Sequence, residues 1–134
     1  MADAMAARHR LLVIDDEALI NILVRSVAKR EEAPIEVHAV LNGEEAPGVA
    51  LEFQPGLILL DVRLPGIDGF EIHNRLKANP GTREIPVVFM TALDTRRVQE
   101  RITASGARDF IWKPPDIKEI RRVIRSYLLP PISP

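Results

Sequence analysis

Four short apolar runs punctuate the chain, and each ends on a residue that carries chemistry. Leu11-Leu12-Val13-Ile14 runs into Asp15-Asp16, Leu57-Ile58-Leu59-Leu60 into Asp61, Val87-Val88-Phe89-Met90 into Thr91, and Phe110-Ile111-Trp112 into Lys113-Pro114. A run with no polar alternate leaves neither face wet. These runs therefore read as strands buried on both sides, as in a parallel sheet covered by helices. Ile35 to Val40 alternates apolar and polar residues instead, which suits a strand at an exposed edge.

Between the strands the apolar spacing changes to the helical period. Glu17 to Arg30 carries Ile20, Leu23, Val24 and Val27 inward and turns Arg25, Lys29 and Arg30 outward. Glu44 to Phe53 has Ala46, Val49, Ala50 and Phe53 as its stripe, but Pro47-Gly48 falls inside it. Proline is tolerated only in a first turn, so this helix starts near Asn42 or Gly43, or starts late. Asp68 to Lys77 predicts a third helix with Ile72 and Leu76 inward, stopped by Asn79-Pro80-Gly81. The fourth, Thr95 to Ser105, has only Val98 and Ile102 as anchors before Gly106, a stripe narrow enough to imply weak docking. Asp116 caps a fifth, with Glu119 placed as in a capping box and a buried face of Ile117, Ile120, Val123, Ile124, Tyr127 and Leu128. Strands and helices alternate five times, which predicts an α/β doubly wound parallel sheet of order 2-1-3-4-5. Ligands bind such sheets at the carboxyl ends of the strands.

Composition narrows the picture. A chain of 134 residues is one domain and buries a core without disulfides, of which it has none, lacking cysteine altogether. That composition fits a reducing, cytoplasmic setting. A formal net charge of −1 argues against direct nucleic-acid binding through bulk positive charge. No run approaches the length that spans a bilayer, and Met1 to Arg8 lacks the apolar core of a secretory signal. Residues 1–9 read as a tail, 10–129 as the domain, and the Pro-rich 130–134 as a natural end or the start of a linker.

If the strands are parallel, Asp15, Asp16, Asp61, the Thr91 hydroxyl and the Lys113 ammonium gather at one edge. Three carboxylates held together repel one another and are comfortable only with a cation. Oxygen ligands of this kind suit a hard divalent ion, Mg²⁺ before Ca²⁺. A carboxylate is also a nucleophile able to form an aspartyl phosphate, with Lys113 supplying a point charge and Thr91 a hydrogen bond to the phosphoryl group. His9, His38 and His73 are scattered and read as solvated or incidental side chains. Any single strand-end Asp is more often a cap or a turn former. The coincidence of four such ends is what favours a site.

With these residues in place, the chain resembles the receiver domain of two-component response regulators, the family that includes the single-domain chemotaxis regulator. The resemblance spans about Leu11 to Leu128 and rests on Asp15-Asp16, Leu-Ile-Leu-Leu-Asp61 with the following Leu-Pro-Gly-Ile-Asp-Gly, Met-Thr91-Ala, and Lys113-Pro114. It implies a flavodoxin-like fold and makes Asp61 the phosphoacceptor, charged by a sensor histidine kinase or a histidine phosphotransfer protein. Asp16 and Asp61 would ligate Mg²⁺ directly with the backbone carbonyl of Arg63, Asp15 acting largely through water. Thr91 and the aromatic Phe110 would be the switch, and Lys113-Pro114 a cis peptide. Phosphorylation would shift the face formed by the fourth helix, fifth strand and fifth helix, which would bind a downstream protein. The sequence leaves open whether that face also makes a homodimer. The resemblance implies a regulator, not an enzyme that turns over substrate.

Arg63 and Leu93 occupy positions that in the family tune how fast water reaches the phosphoryl group, and a bulky Arg with an apolar Leu implies slow self-hydrolysis. Two other readings stand beside this one. A phosphohydrolase with an Asp nucleophile would need a second acid two residues on, where this chain has Arg63. A receiver cut from a longer regulator would have its output domain elsewhere. Trp112 shares a side of its strand with Phe110; it either packs across the fourth or fifth helix or joins Arg96, Arg97, Arg108, Arg121, Arg122 and Arg125 in a docking face.

Overall fold

A computed structural model describes residues 9–92, 96–107 and 109–129. The elements run β1 (Arg10–Ile14), α1 (Ala18–Lys29), β2 (Glu36–Val40), α2 (Ala46–Phe53), β3 (Leu57–Asp61), α3 (Gly69–Ala78), β4 (Val87–Thr91), α4 (Arg96–Ser105), β5 (Asp109–Trp112) and α5 (Ile117–Leu128). All strand pairs are parallel and the order is β2-β1-β3-β4-β5. This is the doubly wound, flavodoxin-like sheet, with β2 at one edge.

The continuous apolar runs are explained by two cores, one on each face. Leu12, Ile14, Ile58, Leu60, Val87 and Phe89 point to the face covered by α2, α3 and α4. Leu11, Val13, Leu57, Leu59, Val88, Met90 and Ile111 point to the face covered by α1 and α5. Every residue of β3 is buried, and each Leu or Ile removed from water contributes about 1.5–3 kcal/mol before entropic costs.

Pro47 decides the shape of the second connection. A 3₁₀ turn over Gly43–Glu45, begun by the Asn42 side chain accepting from Glu44 N–H at 3.0 Å, precedes a late-starting α2 with Pro47 in its first turn. The missing proline N–H thus falls where no intrahelical partner was due. α4 carries one buried side chain, Ile102, with Val98 half-buried, as its narrow stripe predicts. Arg101 adds a contact no stripe would reveal, its guanidinium lying 4.0 Å from the centre of the Phe70 ring on α3. Thr95, expected to open this helix, lies outside the described residues.

Three expectations are corrected. Ile117, the first residue of α5, is 41% exposed, whereas Ile120, Val123, Ile124 and Leu128 further along the helix are buried. Asp116 caps that helix through Lys118 N–H at 2.9 Å, while Glu119 turns to Arg122 instead of completing a capping box. His73 is not a solvated side chain: it is 1% exposed and packs edge-on against Phe89 with ring centres 5.4 Å apart.

Burial, reinforced by the charge of Lys77, pushes the His73 imidazole down to about 4 from 6.5. The unfolded chain then takes up this proton at a higher pH than the folded one. His73 therefore contributes stability above pH 6.5 that is lost as pH falls toward 4. Chemical denaturation of the wild type and His73→Leu across this window should show the wild type losing about 2–3 kcal/mol relative to the variant. A pH-independent difference would contradict neutral burial.

Candidate functional site at the carboxyl edge of the sheet

The site is built by strands that stop in register. Asp61 is the last residue of β3, beside Met90 of β4, and Thr91 is the last of β4, beside Trp112 of β5. Asp15 and Asp16 follow β1, with Asp15 N–H donating to the Val40 carbonyl at 3.1 Å. One carboxylate oxygen from each of Asp15, Asp16 and Asp61 falls within 4.8 Å of the others. Asp15 and Asp61 are buried and Asp16 is exposed. Thr91 is buried, and its backbone carbonyl accepts from Lys113 N–H at 2.8 Å, which ties the exit of β5 to the end of β4. The Lys113-Pro114 peptide is cis.

The loop after β3 is fitted closely to the acid. Arg63 N–H donates to Asp61 Oδ1 at 3.1 Å, while the Arg63 side chain is exposed. Gly66 takes a positive φ of 84° in the turn. Gly69 opens α3 so near the acceptor that a Cβ there would lie 2.3 Å from the Asp61 carbonyl oxygen, so only glycine fits. Asp68 caps α3 by accepting from Glu71 N–H at 2.9 Å.

Lys113 holds the acids together. Its side chain is 6% exposed, and Nζ lies 2.9 Å from Asp15 Oδ2, 3.1 Å from Asp61 Oδ2 and 2.5 Å from Glu17 Oε1. The approach to Asp15 is an ion pair without hydrogen-bond alignment, so Asp15 Oδ2 keeps a lone pair unused among the described residues. Glu17 was read from sequence only as the start of a helix. Its contact with Lys113 joins residues 96 apart, and no local pattern announces it.

The electrostatics follow from crowding. Burial, then the neighbouring Asp15 charge, pushes the Asp61 carboxyl up to about 6, against the opposing pull of Lys113 and the Arg63 N–H. Burial also raises Asp15, offset by the Glu17 N–H and Lys113. Burial alone would lower Lys113, but the hydrogen bond to Glu17, the close pairing with Asp15 and the charge of Asp61 raise it, keeping the ammonium charged. One cation thus faces several acids. A divalent ion fits this donor set, all hard oxygens with an unused lone pair, and would relieve the remaining repulsion.

Phe110 is half-buried against the core that contains Phe89, and Trp112 is 39% exposed with its ring edge-on to Phe110 at 5.1 Å. The tryptophan therefore does not pack fully across a helix. Three of the arginines grouped with it in sequence are paired with acids. Arg122 pairs with Asp109 at 2.7 Å, Arg125 with Glu31 at 3.1 Å and Arg96 with Glu100 at 3.2 Å. Arg108 and Leu93 lie outside the described residues.

The folded state keeps the Asp61 proton to about pH 6, whereas the unfolded chain loses it near 3.8, so this group lowers stability as pH rises through that window. In metal-free buffer containing a chelator, Asp61→Asn should be more stable than the wild type by about 2 kcal/mol at pH 8. The gap should close as pH falls below about 4. Greater wild-type stability at pH 8 would show that Lys113 overcompensates the crowded acids.

Residues 11–125 match the model of the response regulator receiver domain. The chain is 44% identical over 118 residues to the response regulator PleD of Caulobacter vibrioides (strain NA1000 / CB15N), a match covering 87% of this chain and 25% of that protein. It is 34% identical to sporulation initiation phosphotransferase F of Bacillus subtilis (strain 168), covering 90% of this chain and 94% of that one. The chain thus spans a quarter to a half of the length of some curated relatives and nearly all of others. The crystal structure of the Mn²⁺-bound form of response regulator Rcp1 superposes with a TM-score of 0.81 at 25% identity, covering 94% of this chain and 99% of that one. By fold, by the acids at its strand ends and by these matches, the chain belongs to the response regulator receiver domain family.

Proposed function

We propose that the chain is a phosphoacceptor of a two-component phosphorelay and carries the phosphoryl group on Asp61. The observation that carries this reading is the placement of Asp61 at a strand end, with two further acids within 4.8 Å and an ammonium at 3.1 Å. An ionised Asp61 oxygen attacks the phosphorus of a phosphohistidine on a kinase or histidine phosphotransfer protein. The P–N bond breaks, and the imidazole leaves with the bond's electron pair and takes up a proton. Asp61 need not be fully ionised in the metal-free protein for this, because a nearby cation returns its carboxyl toward the ordinary range. Mg²⁺, held by Asp15, Asp16, Asp61 and the Arg63 carbonyl, would neutralise the phosphoryl oxygens, and the Mn²⁺-bound relative supports a divalent ion in such a pocket. Lys113 contributes its charge to the same oxygens, and the Thr91 hydroxyl donates a hydrogen bond to them.

The reading continues outward along β4 and β5. Thr91 drawn toward the phosphoryl group and Phe110 turning inward would shift α4, β5 and α5, the face offered to a downstream protein and available for a homodimer. The thin docking of α4 on Ile102, Val98 and the Arg101–Phe70 contact supports a low cost for that shift. The exposed Arg63 beside the acceptor supports slow hydrolysis, and its place where a phosphohydrolase would need an acid argues for a regulator over a turnover enzyme. The chain would act in the cytoplasm with its kinase, away from membrane and nucleic acid. Among the described residues no helix is long and apolar enough to cross a membrane.

Intact-mass spectrometry after incubation with acetyl phosphate should show a single phosphoryl adduct. The adduct should require Mg²⁺ and be absent from Asp61→Asn. An adduct that persists in that variant, or none with acetyl phosphate and no binding of beryllofluoride, would overturn the assignment.

A further inference from the structure

An ammonium has three protons, and Lys113 meets three carboxylates. Two of them, Asp15 and Asp61, belong to the acid cluster; Glu17, at 2.5 Å, lies outside it. Glu17 occupies the N-cap position of α1, yet its side chain makes no capping hydrogen bond there. Its backbone N–H donates to Asp15 Oδ1 at 2.8 Å, which fixes the residue over the site, and its carboxylate, with a side chain 57% exposed, closes over the nearly buried Lys113 from the solvent side. A helix start commonly uses Ser, Thr, Asp or Asn to satisfy its first N–H groups, and here that stabilisation is forgone. The carboxylate is directed to the lysine instead.

This arrangement has a consequence for the group that Lys113 must meet. A tetrahedral ammonium that donates to Asp61 and Glu17 while pairing with Asp15 cannot also direct a full set of donors at phosphoryl oxygens on Asp61. Its contacts within the cluster can be exchanged for the phosphoryl group in place, because that group sits on Asp61 itself. The contact with Glu17 is made to an acid outside that cluster and has to loosen. We propose that Glu17 is a latch on Lys113, a positioning residue that holds the ammonium on the α1 side of the site at rest and sets how strongly Lys113 engages the phosphoryl group. This inference rests on the phosphoacceptor reading of Asp61. It adds a residue outside the acid cluster that governs how the charged state is held.

Two substitutions separate the latch from mere charge. Glu17→Gln removes the charge and weakens the hydrogen bond, whereas Glu17→Asp keeps the charge and shortens the reach by about one carbon–carbon bond, roughly 1.5 Å. The first measurement is the affinity of the full chain for beryllofluoride at saturating Mg²⁺, followed by fluorine NMR. The second, in metal-free protein, is exchange of the Lys113 ammonium protons with water, followed by proton–nitrogen NMR. Both variants should bind beryllofluoride more tightly, by roughly threefold to tenfold for one charge-assisted contact at a partly exposed site. Both should also speed ammonium exchange. Unchanged or weaker binding by Glu17→Gln would overturn the latch, as would wild-type behaviour of Glu17→Asp, which would assign the effect to charge alone. Beryllofluoride binding by the wild type, with no change in either variant, would leave Asp61 as acceptor and remove Glu17. No binding by the wild type would remove both.

Discussion

The constraint on which the rest of this structure depends is the confinement of negative charge at the end of β3. Asp15 and Asp61 are withdrawn from water at 0% and 4% exposure, and one buried cation, Lys113, answers them. The balance is incomplete, since burial and mutual repulsion leave the Asp61 carboxyl near 6 despite the lysine. A site in that condition gains from a divalent cation, and the proposed phosphoryl transfer would draw on the same imbalance. The scaffold accepts this strain because the strands beneath are secured by apolar cores on both faces.

The charged edge and the outer face are mechanically close. Lys113 N–H donates to the Thr91 carbonyl at 2.8 Å, and the strand register then sets Phe89 beside Phe110 and Thr91 beside Trp112. A displacement at the acids therefore needs to pass through a single strand pair to reach the exposed tryptophan. On that side α4 is lightly held, with Ile102 buried and Arg101 resting on Phe70. The proposed switch draws on this contrast between a rigid sheet and a lightly docked helix.

The fold was legible because burial on both faces writes an unbroken apolar run, and the four runs of β1, β3, β4 and β5 stop where their chemistry begins. The edge position of β2 was legible from its alternation, and the late start of α2 was one of the alternatives that Pro47 left open. Contacts made across the fold were not legible. His73 is polar in sequence but is enclosed by Phe89 and the α3 packing, and the Nε2 that burial deprives of water has no partner among the described residues. Arg101 on Phe70 and Glu17 on Lys113 depend on which helices meet. Ile117 failed the other way, since helical spacing puts it on the buried stripe but does not tell how much of a helix's first turn is covered. The run of arginines looked uniformly unpaired because sequence does not reveal that Glu100, Asp109 and Glu31 pair with Arg96, Arg122 and Arg125.

The central claim is that the acid at position 61 becomes an acyl phosphate. Borohydride reduces an acyl phosphate to an alcohol and leaves free carboxylates intact, so treating the phosphorylated protein and mapping its peptides reads the acceptor directly. The account predicts homoserine in place of aspartate at position 61 alone, and only where Mg²⁺ was present during phosphorylation. Homoserine at position 15 or 16, or a phosphoryl group that resists reduction, would contradict it.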